Sequence, residues 1–195
     1  MFLHFLFLYT FQDIFNESFV LVNKLHGNKA ITLVNHTNDL TLPIRLLEIS
    51  NDNLMSQLWQ LRFNMSKNFW LVNIHSPLYR SIEESKHLVA KKNLLPGDTN
   101  LKLKYVSEDT YKIISGGLCL TVGEINKKNE VEYYPLEFSK CNQADNQGFI
   151  FIPRILVEKY NNKERASAEG DDEVNEAYRR LNKELNVAHT YVKEE

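Results

Sequence analysis

The chain is poor in the residues from which small stapled or metal-built folds are made: its 195 residues include 2 Cys, 5 Pro and 7 Gly. A disulfide-dense scaffold and a cysteine metal cage are excluded, and neither is needed. A chain of roughly 150 residues already buries close to 70% of its unfolded surface. Charge of one sign is missing too, with 23 Lys plus Arg against 25 Asp plus Glu and a net charge of -2. The basic footprint of a nucleic-acid binder is therefore absent. No apolar run reaches the roughly 18 residues of a membrane-spanning helix. The six histidines, at 4, 26, 36, 75, 87 and 189, fall into no metal-ligand spacing. There is no His-Glu-x-x-His, Gly-x-Ser-x-Gly or P-loop, and Gly116-Gly117 reads as a turn between strands. The sequence predicts a binding module with no catalysis, no cofactor and no metal.

What is present is strand-and-turn composition. Short runs rich in Val, Ile, Leu, Phe, Tyr and Trp, separated by Asn, Asp, Gly, Ser and Lys clusters, fill residues 19–153. Strands are expected at 19–23, 30–34, 45–49, 58–63, 69–74, 87–91, 101–106, 111–115, 118–122, 131–134, 136–139 and 149–152, with a helical turn possible at 78–85. The runs repeat. Phe19-Val20-Leu21-Val22-Asn23 recurs as Phe69-Trp70-Leu71-Val72-Asn73, and more weakly as Tyr111-Lys112-Ile113-Ile114-Ser115. Gln57-Leu58-Trp59 lies 90 residues before Gln147-Gly148-Phe149, and the midpoint falls on Lys102-Leu103-Lys104. Three four-stranded units follow, none able to bury a face alone. Closing them about a pseudo-threefold axis removes the exposed edges. The expected fold is all-β, a β-trefoil.

With its Gln-x-aromatic unit ends, the chain resembles the ricin B-like, or R-type, lectins. The third unit carries the resemblance best, through Cys119-Leu120-Thr121-Val122, Leu136-Glu137-Phe138-Ser139-Lys140-Cys141 and Asp145-Asn146-Gln147-Gly148-Phe149. The first keeps Gly27-Asn28-Lys29-Ala30-Ile31-Thr32 and Ser56-Gln57-Leu58-Trp59. The abundance of Asn and Lys also resembles secreted ricin B-like proteins of microsporidia. The resemblance implies a disulfide between Cys119 and Cys141, structural roles for Gln57, Trp59, Gln147 and Phe149, and glycans or glycoproteins as partners. It implies a sugar site in the third unit, with Asn146 as a polar ligand, Thr121 as the ligand in place of the usual carboxylate, and Tyr133, Tyr134 or Phe138 as the stacking surface. The family's carboxylate is replaced by Thr121 in the third unit and Thr32 in the first, while Ile82, next to Glu83 and Glu84, stands there in the second. A hydroxyl forms weaker, non-bidentate contacts than a carboxylate. A trefoil that binds protein, through its loops and C-terminal helix, is the competing reading.

The ends differ in character. Residues 1–11 form an apolar run of the length of a signal-peptide core, so 1–18 is expected to be a signal peptide of a secreted protein, with a hydrophobic strand or a partner-binding end as alternatives. Residues 154–170 read as a linker. Val174, Tyr178, Leu181, Leu185, Ala188 and Val192 form an apolar seam, which predicts an amphipathic helix over 171–195 that packs back on the trefoil, self-associates or binds a partner.

Overall fold

The computed structural model describes residues 18–34, 39–63, 68–94, 99–107, 110–128 and 131–161. The expected signal peptide, apart from Ser18, and the 171–195 helix lie outside them. The strands are β1 (Phe19–Asn23), β2 (Lys29–Leu33), β3 (Thr41–Glu48), β4 (Leu58–Phe63), β5 (Phe69–Asn73), β6 (Tyr79–Glu84), β7 (His87–Lys92), β8 (Lys102–Ser107), β9 (Thr110–Ser115), β10 (Leu118–Val122), β11 (Asn126–Lys128), β12 (Val131–Lys140) and β13 (Phe149–Pro153). Short helices α1 (Leu54–Gln57) and α2 (Arg154–Asn161) and a 3-10 turn at Asp145–Gln147 complete the described elements around the site.

Six strands close a barrel. β1 pairs with β13 and β4, β4 with β5, β8 with β9, and β9 with β13. The ring is completed where Phe69 meets Leu101, the Phe69 amide donating to the Leu101 carbonyl at 2.9 Å. Three hairpins, β2–β3, β6–β7 and β10–β12, cap one end and pair with one another through β3–β7, β3–β12 and β7–β12. This is the β-trefoil that the repeats predict.

Period-two burial explains the cap strands: Leu42, Ile44 and Leu46 of β3 turn inward and their neighbours outward. β1 is buried at every position. Phe19 and Leu21 enter the barrel core, while Val20 and Val22 join Ala30, Leu58 and Val157 of α2 in a second cluster. A strand covered on both faces loses its alternation, and β1 reads as a continuous apolar run. α2 thus occupies the start of the stretch read as linker.

Pairing fixes the threefold equivalence. Phe19, Phe69 and Tyr111 face Trp59, Leu101 and Phe149. The middle counterpart of Gln57-x-Trp59 is therefore Thr99-Asn100-Leu101, not the 102–104 segment at the arithmetic midpoint. Residues 79–84, where a helical turn was possible, are strand β6. The two strands expected at 131–139 are one strand, continuous through Pro135.

Candidate functional site

The site expected in the third unit lies on the β10–β12 hairpin. Five registered pairs hold it, Leu118↔Lys140 to Val122↔Leu136. Leu120 and Phe138 point to the core; Thr121, Glu137 and Ser139 share the outer face. The hairpin is stapled by a Cys119–Cys141 disulfide with Cα atoms 4.9 Å apart. Cys119 is buried and Cys141 exposed.

Thr121 is built into a brace. Its hydroxyl donates to the Cys119 carbonyl at 3.0 Å, lies 2.6 Å from the Ser139 hydroxyl, and accepts from Gln147 Nε2 at 2.9 Å. The fully buried Gln147 also donates to the Lys140 carbonyl at 3.0 Å and to Ser139 Oγ at 3.3 Å, and its Oε1 accepts the Asn142 amide at 2.8 Å. The first unit repeats the device: Gln57 Nε2 donates to Thr32 Oγ1 at 3.0 Å and to the Glu48 carbonyl at 2.9 Å, and Thr32 donates to the Ala30 carbonyl at 2.9 Å. Trp59 Nε1 donates to the Ile31 carbonyl at 2.8 Å. In the middle unit Ile82 and Thr99 stand at these positions, and Thr99 donates instead to the Phe69 carbonyl at 2.5 Å. Glu83 accepts the Lys86 turn amide at 2.9 Å and Glu84 pairs with Lys91, so both serve their own hairpin.

The expected stacking surface is rearranged. Phe138 is 2% exposed and belongs to the core. It cannot be a platform, because the alternation of β12 sends it inward with Leu136. Tyr133 carries the Arg45 guanidinium 3.9 Å over its ring. Tyr134 packs against the core, with the His26 ring at 4.4 Å and Lys29 Nζ at 5.6 Å. Partial burial and, secondarily, the Lys29 charge lower the His26 pKa from 6.5. Asn146 donates to the Val122 carbonyl at 3.2 Å, while its buried Oδ1 has no partner among the described residues. The turn that carries Asn146 is clasped by Asn23, whose Nδ2 donates to the carbonyls of Gly148 (3.0 Å), Asn146 (3.3 Å) and Asp145 (3.4 Å). Asn73 holds α1 in the same way, donating to the Leu58 and Met55 carbonyls at 3.1 and 3.2 Å.

One residue missed by the sequence reading is Glu137. It sits directly across the hairpin from Thr121, its side chain half exposed and 3.8 Å from His87 Nδ1. β12 thus places a carboxylate on the outer face, across from Thr121. Its signal was available: Leu136-Glu137-Phe138 alternates, which turns Glu137 outward.

No protein-family model matches the chain, and no curated protein matches it in sequence. Solved structures do. The Rhizoctonia solani agglutinin is similar at 19% identity and a TM-score of 0.55, over 71% of this chain and 95% of that one. The Macrolepiota procera ricin B-like lectin, solved in complex with lactose, has 14% identity and a TM-score of 0.53, over 69% and 94%. A mosquitocidal holotoxin has 16% identity and a TM-score of 0.57, over 70% of this chain but 17% of the toxin. At these identities the likeness establishes the fold: the chain is a β-trefoil of the kind found in ricin B-like lectins and within larger toxins.

Proposed function

We propose that this trefoil is a secreted, non-catalytic module that binds glycans or glycoproteins, with the outer face of the β10–β12 hairpin as the sugar contact. The observation that carries the reading is Glu137, an exposed carboxylate opposite Thr121 on a hairpin stapled by a disulfide. A carboxylate can accept two sugar hydroxyls at once, and Ser139 beside it can donate or accept. Thr121 serves as the brace behind this face, in place of the ligand role that the resemblance gave it. The lactose complex of the similar Macrolepiota lectin supports a sugar as ligand, and a disulfide is at home in an oxidising compartment. A glycan array of the purified protein beside its Glu137→Gln variant tests the proposal. Signal on a defined sugar class that the variant loses supports it; a folded protein silent on every class sinks it.

A second reading is favoured by the covered rings. Phe138 is buried, and Tyr133 and Tyr134 carry Arg45, His26 and Lys29 against their rings, so the three expected platform residues are engaged within the protein, as expected of a trefoil that docks protein. In that case deletion of 171–195 abolishes partner capture while the fold survives, and unchanged capture counts against it.

A further inference from the structure

Beside the disulfide, a cleft of about 380 Å³ opens between β8, β9 and the loop after β12. Its volume suits a monosaccharide. Two lysines line it, and no carboxylate does among the described residues. Lys112 is only 8% exposed, and the one partner of its ammonium among the described residues is the Asn142 carbonyl. Lys104 stands directly opposite Lys112 in the β8–β9 register, so the two side chains share a face. Neither makes an ion pair among the described residues.

Both features are costly as they stand. A buried ammonium needs a counter-charge, and like charges at directly opposed strand positions repel. An anion in the cleft relieves both at once. The rest of the lining is suited to what would carry that anion. Ile114 and the disulfide give an apolar wall, and Tyr105 and Val106 are exposed at 41% and 38%, Tyr105 held edge-on to Tyr111 at a centroid distance of 5.6 Å. Asn142 Oδ1 accepts the Ala144 amide at 2.8 Å, which leaves its Nδ2 as a donor.

We propose that this cleft seats the carboxylate or sulfate of an acidic sugar, with Lys112 as the buried cation and Lys104 as the exposed one. The anion site stands on the two lysines alone; the sugar that carries the anion rests on the glycan-binding reading. Titration of the full chain at low salt with glucuronate, galactose 6-sulfate, neutral galactose and inorganic sulfate tests it, and the first two arms tell a carboxylate from a sulfate ester. An acidic sugar should bind more tightly than galactose. Lys112→Met, which puts an apolar chain of similar length in a buried position, should weaken that binding about tenfold or more. Lys104→Gln, at the exposed position, should weaken it about threefold. Glu137→Gln should leave the preference for acids intact and reduce only neutral-sugar binding, which separates this proposal from the reading of the hairpin face. Acid binding unchanged in folded Lys112→Met or in Lys104→Gln, or no preference for acids over galactose, overturns the site. Inorganic sulfate binding as tightly as the sulfated sugar overturns its assignment to sugars.

Discussion

If Thr121 is a brace, its removal should weaken the fold and spare the ligand. Gln147→Leu deletes four hydrogen bonds: three from Nε2, at 2.9, 3.0 and 3.3 Å, and one to Oε1, at 2.8 Å. Three of the partners belong to exposed residues, Ser139, Lys140 and Asn142, which water can resolvate. Each bond is then worth its net value of about 0.5–1.5 kcal/mol, with the 3.3 Å contact at the low end, for a total of about 2–5 kcal/mol. At about 2.1 cal/mol/K per residue over the roughly 135 residues of the barrel and cap, that lowers Tm by about 7–18 °C. Thr121→Val removes one of the four, together with the hydroxyl's contacts to the Cys119 carbonyl and Ser139 Oγ, and should cost about 1.5–4 kcal/mol. The double variant should show a coupling of about 1 kcal/mol, since the two residues share that bond. Chemical denaturation of the four proteins gives the cycle, and titration of the best array sugar gives the affinity. A coupling within about 0.3 kcal/mol of zero, the level at which independent sites add, would refute the brace. So would a Thr121→Val protein of full stability that has lost its sugar.

Three further outcomes follow from the geometry. Replacing Cys119 and Cys141 by Ala should cost about 3 kcal/mol from the loop-closure entropy of the 22-residue separation, and calorimetry of the wild type under reducing conditions should show an equal loss relative to the oxidised protein; loss of under about 1 kcal/mol counts against the staple. The β6–β7 and β9–β10 hairpins both turn through two residues of positive φ, Ser85 and Lys86 at 51° and 69°, Gly116 and Gly117 at 55° and 79°. Lys86→Gly should therefore stabilise by about 0.5–1 kcal/mol while Gly117→Ala destabilises by at least as much, and thermal melts that give the opposite order refute the turn assignment. His26 has a folded pKa below 6.5, so on acidification the unfolded chain takes up the proton first. Its contribution is complete above pH 6.5 and is lost as pH falls towards and through the folded value; His26→Gln should flatten this part of the stability–pH curve, and a curve of unchanged slope would refute the assignment.

The architecture was legible because Phe19–Asn23, Phe69–Asn73 and Tyr111–Ser115 fill equivalent barrel positions, and burial there demands the same apolar run each time. The middle unit hid its register because Thr99 and Leu101 keep the burial of a Gln and a Trp without their chemistry. The roles of Gln57 and Gln147 were anticipated as fold roles, but their partners were not. The separations Thr32–Gln57 and Thr121–Gln147, 25 and 26 residues, are nearly equal and would have suggested them. Phe138 and Glu137 were separable by strand alternation alone. Arg45 over Tyr133 was not, since that contact joins strands of different units brought together only by the cap.

The pairing of β1 with β13 runs through all five residues of each strand, from Phe19↔Pro153 to Asn23↔Phe149, and is extended by the Arg154 amide donating to the Ser18 carbonyl at 3.1 Å. Among the described strands, the first to leave the ribosome therefore waits for the last before this edge is paired. Throughout synthesis an apolar run with an open hydrogen-bonding edge is displayed, which is the element most able to recruit a neighbouring chain. A chain cut or stalled before Phe149 keeps that edge bare whatever its other units have achieved, so the vulnerability of this protein to misassembly is set by the time its final strand takes to arrive.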